Sequence, residues 1–228
     1  MSIVSPNYKA VIFDLDGTLL DTIDDIAGAM NRVLEGRAFK PYGVEAYKGL
    51  VGDGIEEMVR RALAPRELGE EETAGIVRDY RREYECCWRA HSRPYSGVPE
   101  LLGELARRGV KMAVLSNKSH SFTEAMTLEL LAPFRFDVIR GAIPGVPLKP
   151  DPKPALMIAA EVGVVPAEVI FLGDTKVDMK TAVAAGMLPV GALWGFRSAE
   201  ELKANGAVAL IASPIELLAY FPIERKPR

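Results

Sequence analysis

The stretch Ala10-Val11-Ile12-Phe13-Asp14-Leu15-Asp16-Gly17-Thr18 joins a short apolar run to two acids and a glycine. A continuous apolar run bounded by a turn signal is the pattern of a strand buried on both faces, as in a parallel sheet. Residues i and i+2 of a strand share a face, so Asp14 and Asp16 are expected side by side where the strand ends. Open α/β sheets take their ligands just beyond the carboxyl ends of the strands. The competing reading is a plain Asp-Gly turn. A calcium loop is excluded, because its sixth and twelfth positions require Gly and Glu and here hold Leu19 and Asp25.

Further along, the same texture returns. Residues 8–19 and 93–220 alternate apolar runs with helical patterns, which predicts βαβ units. Strands are expected at Ala10–Phe13, Val110–Leu115, Asp137–Arg140, Val169–Leu172 and Pro189–Leu193, with helices near 99–108, 119–131, 153–162 and 175–185. Residues 20–92 differ. Apolar stripes at Ile23–Leu34, Ile55–Leu63 and Ile76–Trp88 predict three helices with no strand between them. The expected fold class is α/β: a doubly wound, Rossmann-like parallel-sheet core (1–19 and 93–228) with a small all-helical domain (20–92) inserted after the first strand.

Two more strand ends carry polar groups. Val169–Leu172 runs into Gly173-Asp174-Thr175, with Asp178 four residues beyond Asp174. Such acids cap and complement a helix N-terminus. Together with Asp14 and Asp16, however, they form a hard oxygen donor set, for which Mg²⁺ is the natural ion. Val110–Leu115 ends in Ser116-Asn117-Lys118, where a hydroxyl and backbone N–H groups suit either phosphate oxygens or an ordinary helix cap. Lys149 stands in Lys149-Pro150-Asp151-Pro152, whose prolines restrict the backbone around it. It is either an aimed ammonium or a solvated surface lysine.

Composition narrows the chemistry. The 28 Lys+Arg against 31 Asp+Glu give a net charge of −3, which argues against a nucleic-acid-coating surface. Two histidines, His91 and His120, exclude a multi-histidine metal site, and the adjacent Cys86 and Cys87 make a poor disulfide. Cys87 and Arg93 match a Cys-x5-Arg spacing, but without glycines between them a phosphate-binding nest is not expected. Neither a secretory signal nor a membrane-length apolar run is visible, so a cytoplasmic protein is expected. The basic tail Glu224–Arg228 is too short to indicate a partner.

The ordered set Asp14-x-Asp16-Gly17-Thr18, Ser116-Asn117, Lys149-Pro150 and Gly173-Asp174-Thr175-x-x-Asp178 resembles the motifs of the haloacid dehalogenase superfamily of phosphatases. The helical insert is similar to that superfamily's C1 cap. The resemblance implies Asp14 as nucleophile and Asp16 as general acid and base, with Lys149, Thr18 and Ser116 on the phosphoryl oxygens. It implies Mg²⁺ held by Asp14, the Asp16 carbonyl, Asp174 and Asp178. An acid at position 16 disfavours halide displacement.

In the insert, Gly52-Asp53-Gly54 before a helix, with Arg61 within it, is similar to the cap of phosphoglycolate phosphatases. That resemblance adds Gly52, Gly54 and Arg61, with Asn117, as substrate-binding candidates. The implied partner is a small phosphate ester, for a monomer or homodimer that binds neither nucleic acid nor membrane. Two alternatives stay open: a sugar-phosphate mutase of β-phosphoglucomutase type, drawing on cap cations Arg32, Arg37, Lys40, Lys48, Arg60 and Arg61, and a non-catalytic phosphate-binding scaffold.

Overall fold

A computed structural model describes residues 8–222; Met1–Asn7 and the basic tail lie outside the described residues. Six strands form one parallel sheet in the order β5-β4-β1-β6-β7-β8. They are β1 (Ala10–Phe13), β4 (Lys111–Ser119), β5 (Val138–Ala142), β6 (Val169–Gly173), β7 (Leu188–Ala192) and β8 (Ala209–Ile211). The alternation within β1 explains its apolar run. Val11 and Phe13 face one core, with Leu101, Leu102 and Leu105 of α5 (Val98–Arg107), and with Phe122 and Met126 of α6 (His120–Leu130). Ala10 and Ile12 face the other, with Ala155, Ile158 and Ala159 of α7 (Lys153–Glu161) and Ala182 and Ala185 of α8 (Lys176–Ala185). Both faces are covered, as a parallel sheet requires.

β1 pairs with β4 on one side and β6 on the other, so the connections diverge from its carboxyl end. That divergence leaves the crevice in which open α/β sheets bind ligands.

Between β1 and β4 the chain forms α1 (Ile23–Gly36), α2 (Val44–Leu50), α3 (Ile55–Leu63) and α4 (Glu70–Cys87). The three expected stripes become α1, α3 and α4. The seven-residue α2 was not anticipated, because Tyr47 alone is buried and no periodicity shows. This segment leaves and returns through a two-residue antiparallel ribbon of β2 (Leu20–Asp21) and β3 (Arg93–Pro94), in which Leu20 faces Pro94 and Asp21 faces Arg93. Beside it, buried Asp25 accepts from the His91 and Ser92 backbone N–H groups and from Ser92 Oγ, with His91 Nδ1 at 2.9 Å. Burial works against this carboxylate's charge, but the donors from His91 and Ser92 win and hold its pKa below the usual range. The apolar core runs unbroken from β1 into α1–α4.

β8 and α9 (Ala199–Ala204) were also unforeseen; they are short and lie at the sheet's edge. Among the described residues no helix is long and apolar enough to cross a membrane.

Candidate active site

The register brings the ends of β1, β4 and β6 together, with Phe13 opposite Val114 and Leu172. Asp14 still donates its N–H to Leu172 O at 2.9 Å. The strand does not continue to Asp16: Leu15 O accepts from the N–H groups of Thr18, Leu19 and Leu20, which coils the chain into a tight turn. Gly17 takes φ +86°, open to glycine without strain. Asp14 and Asp16 therefore line one cavity but face different cations, which corrects the side-by-side expectation.

Asp14, Asp174 and Asp178 bring carboxylate oxygens within 4.8 Å of one another, all buried. Lys149 sits among them, its Nζ 2.8 Å from Asp14 Oδ1, 2.7 Å from Asp178 Oδ1 and 3.0 Å from Leu115 O. The solvated-surface reading of Lys149 is thereby excluded, since its side chain is 2% exposed. Asp174 accepts from Thr18 Oγ1 at 2.9 Å and from the Phe196 N–H at 2.8 Å. Asp178 closes a capping box with Thr175, the N-cap of α8, at 2.6 Å from Thr175 Oγ1. Asp174 thus precedes the helix rather than capping it. A Cβ added to Gly17 or Gly195 would collide with the Asp174 side chain, and one added to Gly173 with Asp178. The acids are packed against bare backbone.

Three buried carboxyls against one ammonium leave excess negative charge. Burial and the nearby Asp178 push Asp14 well above the ordinary carboxylate range, although Lys149 pulls the other way. Burial and Asp178 push Asp174 up to about 7. For Lys149, burial opposes the charge, but Asp14 and Asp178 keep it protonated above the usual lysine value. An oxygen-only donor set with repelling charges fits a hard divalent cation, which would relieve that repulsion. Asp16 brings no carboxylate oxygen into this group.

Asp16 instead accepts from Thr22 Oγ1 at 2.7 Å and lies 2.9 Å from Lys118 Nζ through each oxygen. Lys118 was missed as a site residue, although it stands in the same polar run as Ser116. Ser116 is buried inside the extended β4 and lines the cavity; the N-cap of α6 is Ser119, so the helix-cap reading of Ser116 fails.

Other expectations are redirected. Asn117 uses its whole amide on backbone, donating to Lys149 O at 2.9 Å and Gly52 O at 3.1 Å and accepting from Lys149 N at 2.8 Å. It holds Lys149 in place, and the residue also lines the cavity. Thr18 gives its hydroxyl to Asp174 and, like Lys149, stands behind the cavity lining. Arg61 is also turned away: it pairs with Asp53 at 2.6 Å and Glu57 at 3.1 Å and donates to Leu50 O. Gly52 and Gly54 do line the cavity. Their loop is clasped by two core side chains, Asn117 on Gly52 O and Arg197 on Val51 O at 2.8 Å.

The cavity measures about 710 Å³ with its part open to solvent. Its helical wall is Ile26, Ile55, Met58 and Tyr80, with Phe122 beside them and Arg81 at exposed positions of α4. Cys87 is half-buried on α4, outside the cavity lining, and burial pushes its thiol pKa up, the wrong direction for a nucleophile.

A family model for haloacid dehalogenase-like hydrolases matches residues 11–192, and the chain belongs to that family. It is 32% identical over 211 residues to a phosphoglycolate phosphatase of Pseudomonas putida, covering 89% of this chain and 76% of the relative. It is 30% identical over 211 residues to an N-acetylmuramic acid 6-phosphate phosphatase of Pseudomonas aeruginosa, covering 92% and 93%. The crystal structure of an inferred phosphoglycolate phosphatase from Lactobacillus delbrueckii subsp. bulgaricus superposes with a TM-score of 0.89 at 28% identity, covering 96% of this chain and 100% of that one.

Proposed function

We propose that this haloacid dehalogenase-like hydrolase cleaves a small phosphate monoester through an aspartyl-phosphate on Asp14. One observation carries the reading: Asp14 is buried at the strand end, lines the cavity and holds its Oδ1 2.8 Å from Lys149 Nζ. A carboxylate fixed by a cation at the cavity wall is placed to attack phosphorus. The phosphorus–oxygen bond to the alcohol breaks as the new one forms, and Asp16, across the same cavity, gives the leaving oxygen a proton. Asp16 then takes a proton from the water that attacks the aspartyl-phosphate, releasing phosphate and restoring both acids. Lys149 and Ser116 face the phosphoryl oxygens and offset their charge.

Asp14, Asp174 and Asp178 would hold the divalent ion, for which Mg²⁺ is the reading favoured by an all-oxygen set. Bound there, it supplies positive charge to the phosphoryl oxygens. The helical segment 20–92 serves as the cap that keeps water off the cavity. The enzyme works in the reducing cytoplasm, consistent with Cys86 and Cys87 as free thiols.

The favoured substrate is 2-phosphoglycolate, the ester named for several relatives. A mutase needs a second phosphate pocket under the cap. The cap cations once considered for it line no part of the cavity: Arg32 pairs with Glu83, Arg37 with Asp79, Lys48 with Glu45, Arg60 and Arg61 with Glu57, and Lys40 lies elsewhere.

The test is hydrolysis of p-nitrophenyl phosphate and of a panel of small phosphate esters, with magnesium and with excess EDTA. Turnover that vanishes on chelation and ranks 2-phosphoglycolate above sugar phosphates supports the reading; undiminished turnover in EDTA excludes the metal.

A further inference from the structure

Among the residues lining the cavity, Lys118 and Arg81 are the cations, and the mechanism uses neither. The side chain of Lys118 is 9% exposed, with Nζ 2.9 Å from each Asp16 oxygen and 4.6 Å from the centre of the Tyr84 ring. An ammonium has three donors; Asp16 takes two, and the remaining side rests on an aromatic face that attracts cations without satisfying a donor. The cavity lining joins apolar Ile26, Ile55, Met58 and Phe122 to the polar side chains of Tyr80, Arg81 and Ser119.

We propose that Lys118 reads the leaving group: it receives the carboxylate, or an equivalent anionic group, on the alcohol side of the scissile ester. This rests on the hydrolase reading above. A substrate bound with its phosphoryl group at Asp14 has its leaving oxygen toward Asp16, so the next atoms of the alcohol pass Lys118. A nearly buried ammonium attracts a second carboxylate far more strongly than a surface lysine does. Ile26, Ile55, Met58 and Phe122 leave a sugar's hydroxyls on that side unpaired, and each buried hydroxyl left unpaired costs roughly tenfold in binding. The anionic group either shares the ammonium with Asp16 or displaces it.

The experiment compares wild type, Lys118→Met and Lys118→Arg, each with saturating magnesium. It measures kcat/KM on 2-phosphoglycolate and on ethyl phosphate, which matches its length without the carboxylate. Wild type is expected to prefer 2-phosphoglycolate. Lys118→Met is expected to lose about tenfold to a hundredfold more on 2-phosphoglycolate than on ethyl phosphate, and Lys118→Arg to keep the preference. Equal losses on both esters make Lys118 a holder of Asp16 alone and overturn the inference. It is also overturned if wild type handles ethyl phosphate as well as 2-phosphoglycolate, an outcome that leaves the hydrolase reading intact. If wild type cleaves neither these esters nor p-nitrophenyl phosphate, the hydrolase reading itself has failed.

Discussion

At the carboxyl edge of the sheet, Asp14, Asp174, Asp178 and Lys149 crowd into a space with almost no access to water. On the opposite side of the cavity, α1, α3 and α4 carry many more charges, yet their wall is chiefly Ile26, Ile55, Met58 and Tyr80, with Arg81 the charged exception. Several charges on and beside those helices pair with one another, as in Arg32–Glu83, Arg37–Asp79 and Arg61–Asp53. The two sides use the same residue types for different ends. At the strand ends charge is buried and constrained; on the helical side much of it is paired off and chiefly apolar atoms face the cavity.

The sharpest way to break this contrast is at the acids. Asp14→Asn is expected to lower kcat by at least roughly 10⁴-fold, as the loss of the proposed nucleophile requires. Asp16→Asn keeps a similar shape and is expected to cost about 10²–10⁴-fold, the usual worth of a general acid, with KM little changed. Steady-state kinetics on p-nitrophenyl phosphate decide both, and near wild-type rates in either variant would remove that residue from the mechanism.

Gly195→Ala probes the packing beneath the acids. Its new Cβ must displace the Asp174 side chain, so magnesium affinity is expected to weaken by about 10–100-fold, as for other disturbances of a ligand's support. Calorimetric titration of magnesium measures it; unchanged affinity would show that the acid cluster tolerates movement.

The smallest effect is on stability with pH. Asp14 and Asp174 have raised pKa values in the folded chain, so folding takes up protons, and the stability they confer falls as pH rises from about 4 through about 7. In EDTA the melting temperature is expected to drop by a few degrees between about pH 5.5 and 8. Magnesium should flatten that slope, because the bound form needs these acids ionised.

Much of the acidic edge was legible in the chain. Each acid follows a strand written as an apolar run, and register carries them together without further information. The strand rule failed at Asp16 because the backbone turns at Leu15, a local choice governed by hydrogen bonds to one carbonyl. Thr18, Asn117 and Arg61 were readable as polar residues near the site, but their partners, Asp174, Lys149 and Asp53, are decided by tertiary approach. Lys118 and Gly195 were missed for the same reason. A lysine in a polar run and a glycine in a loop carry no mark of what will pack on them.

The ribbon of Leu20–Asp21 against Arg93–Pro94 has a consequence for inheritance. The helical segment departs and rejoins the sheet at neighbouring residues, so its length and helix count impose nothing on the spacing of the strands. These helices can be lengthened or remodelled while the carboxylates at the strand ends keep their register. Such a junction uncouples change in the inserted segment from the geometry of the sheet edge.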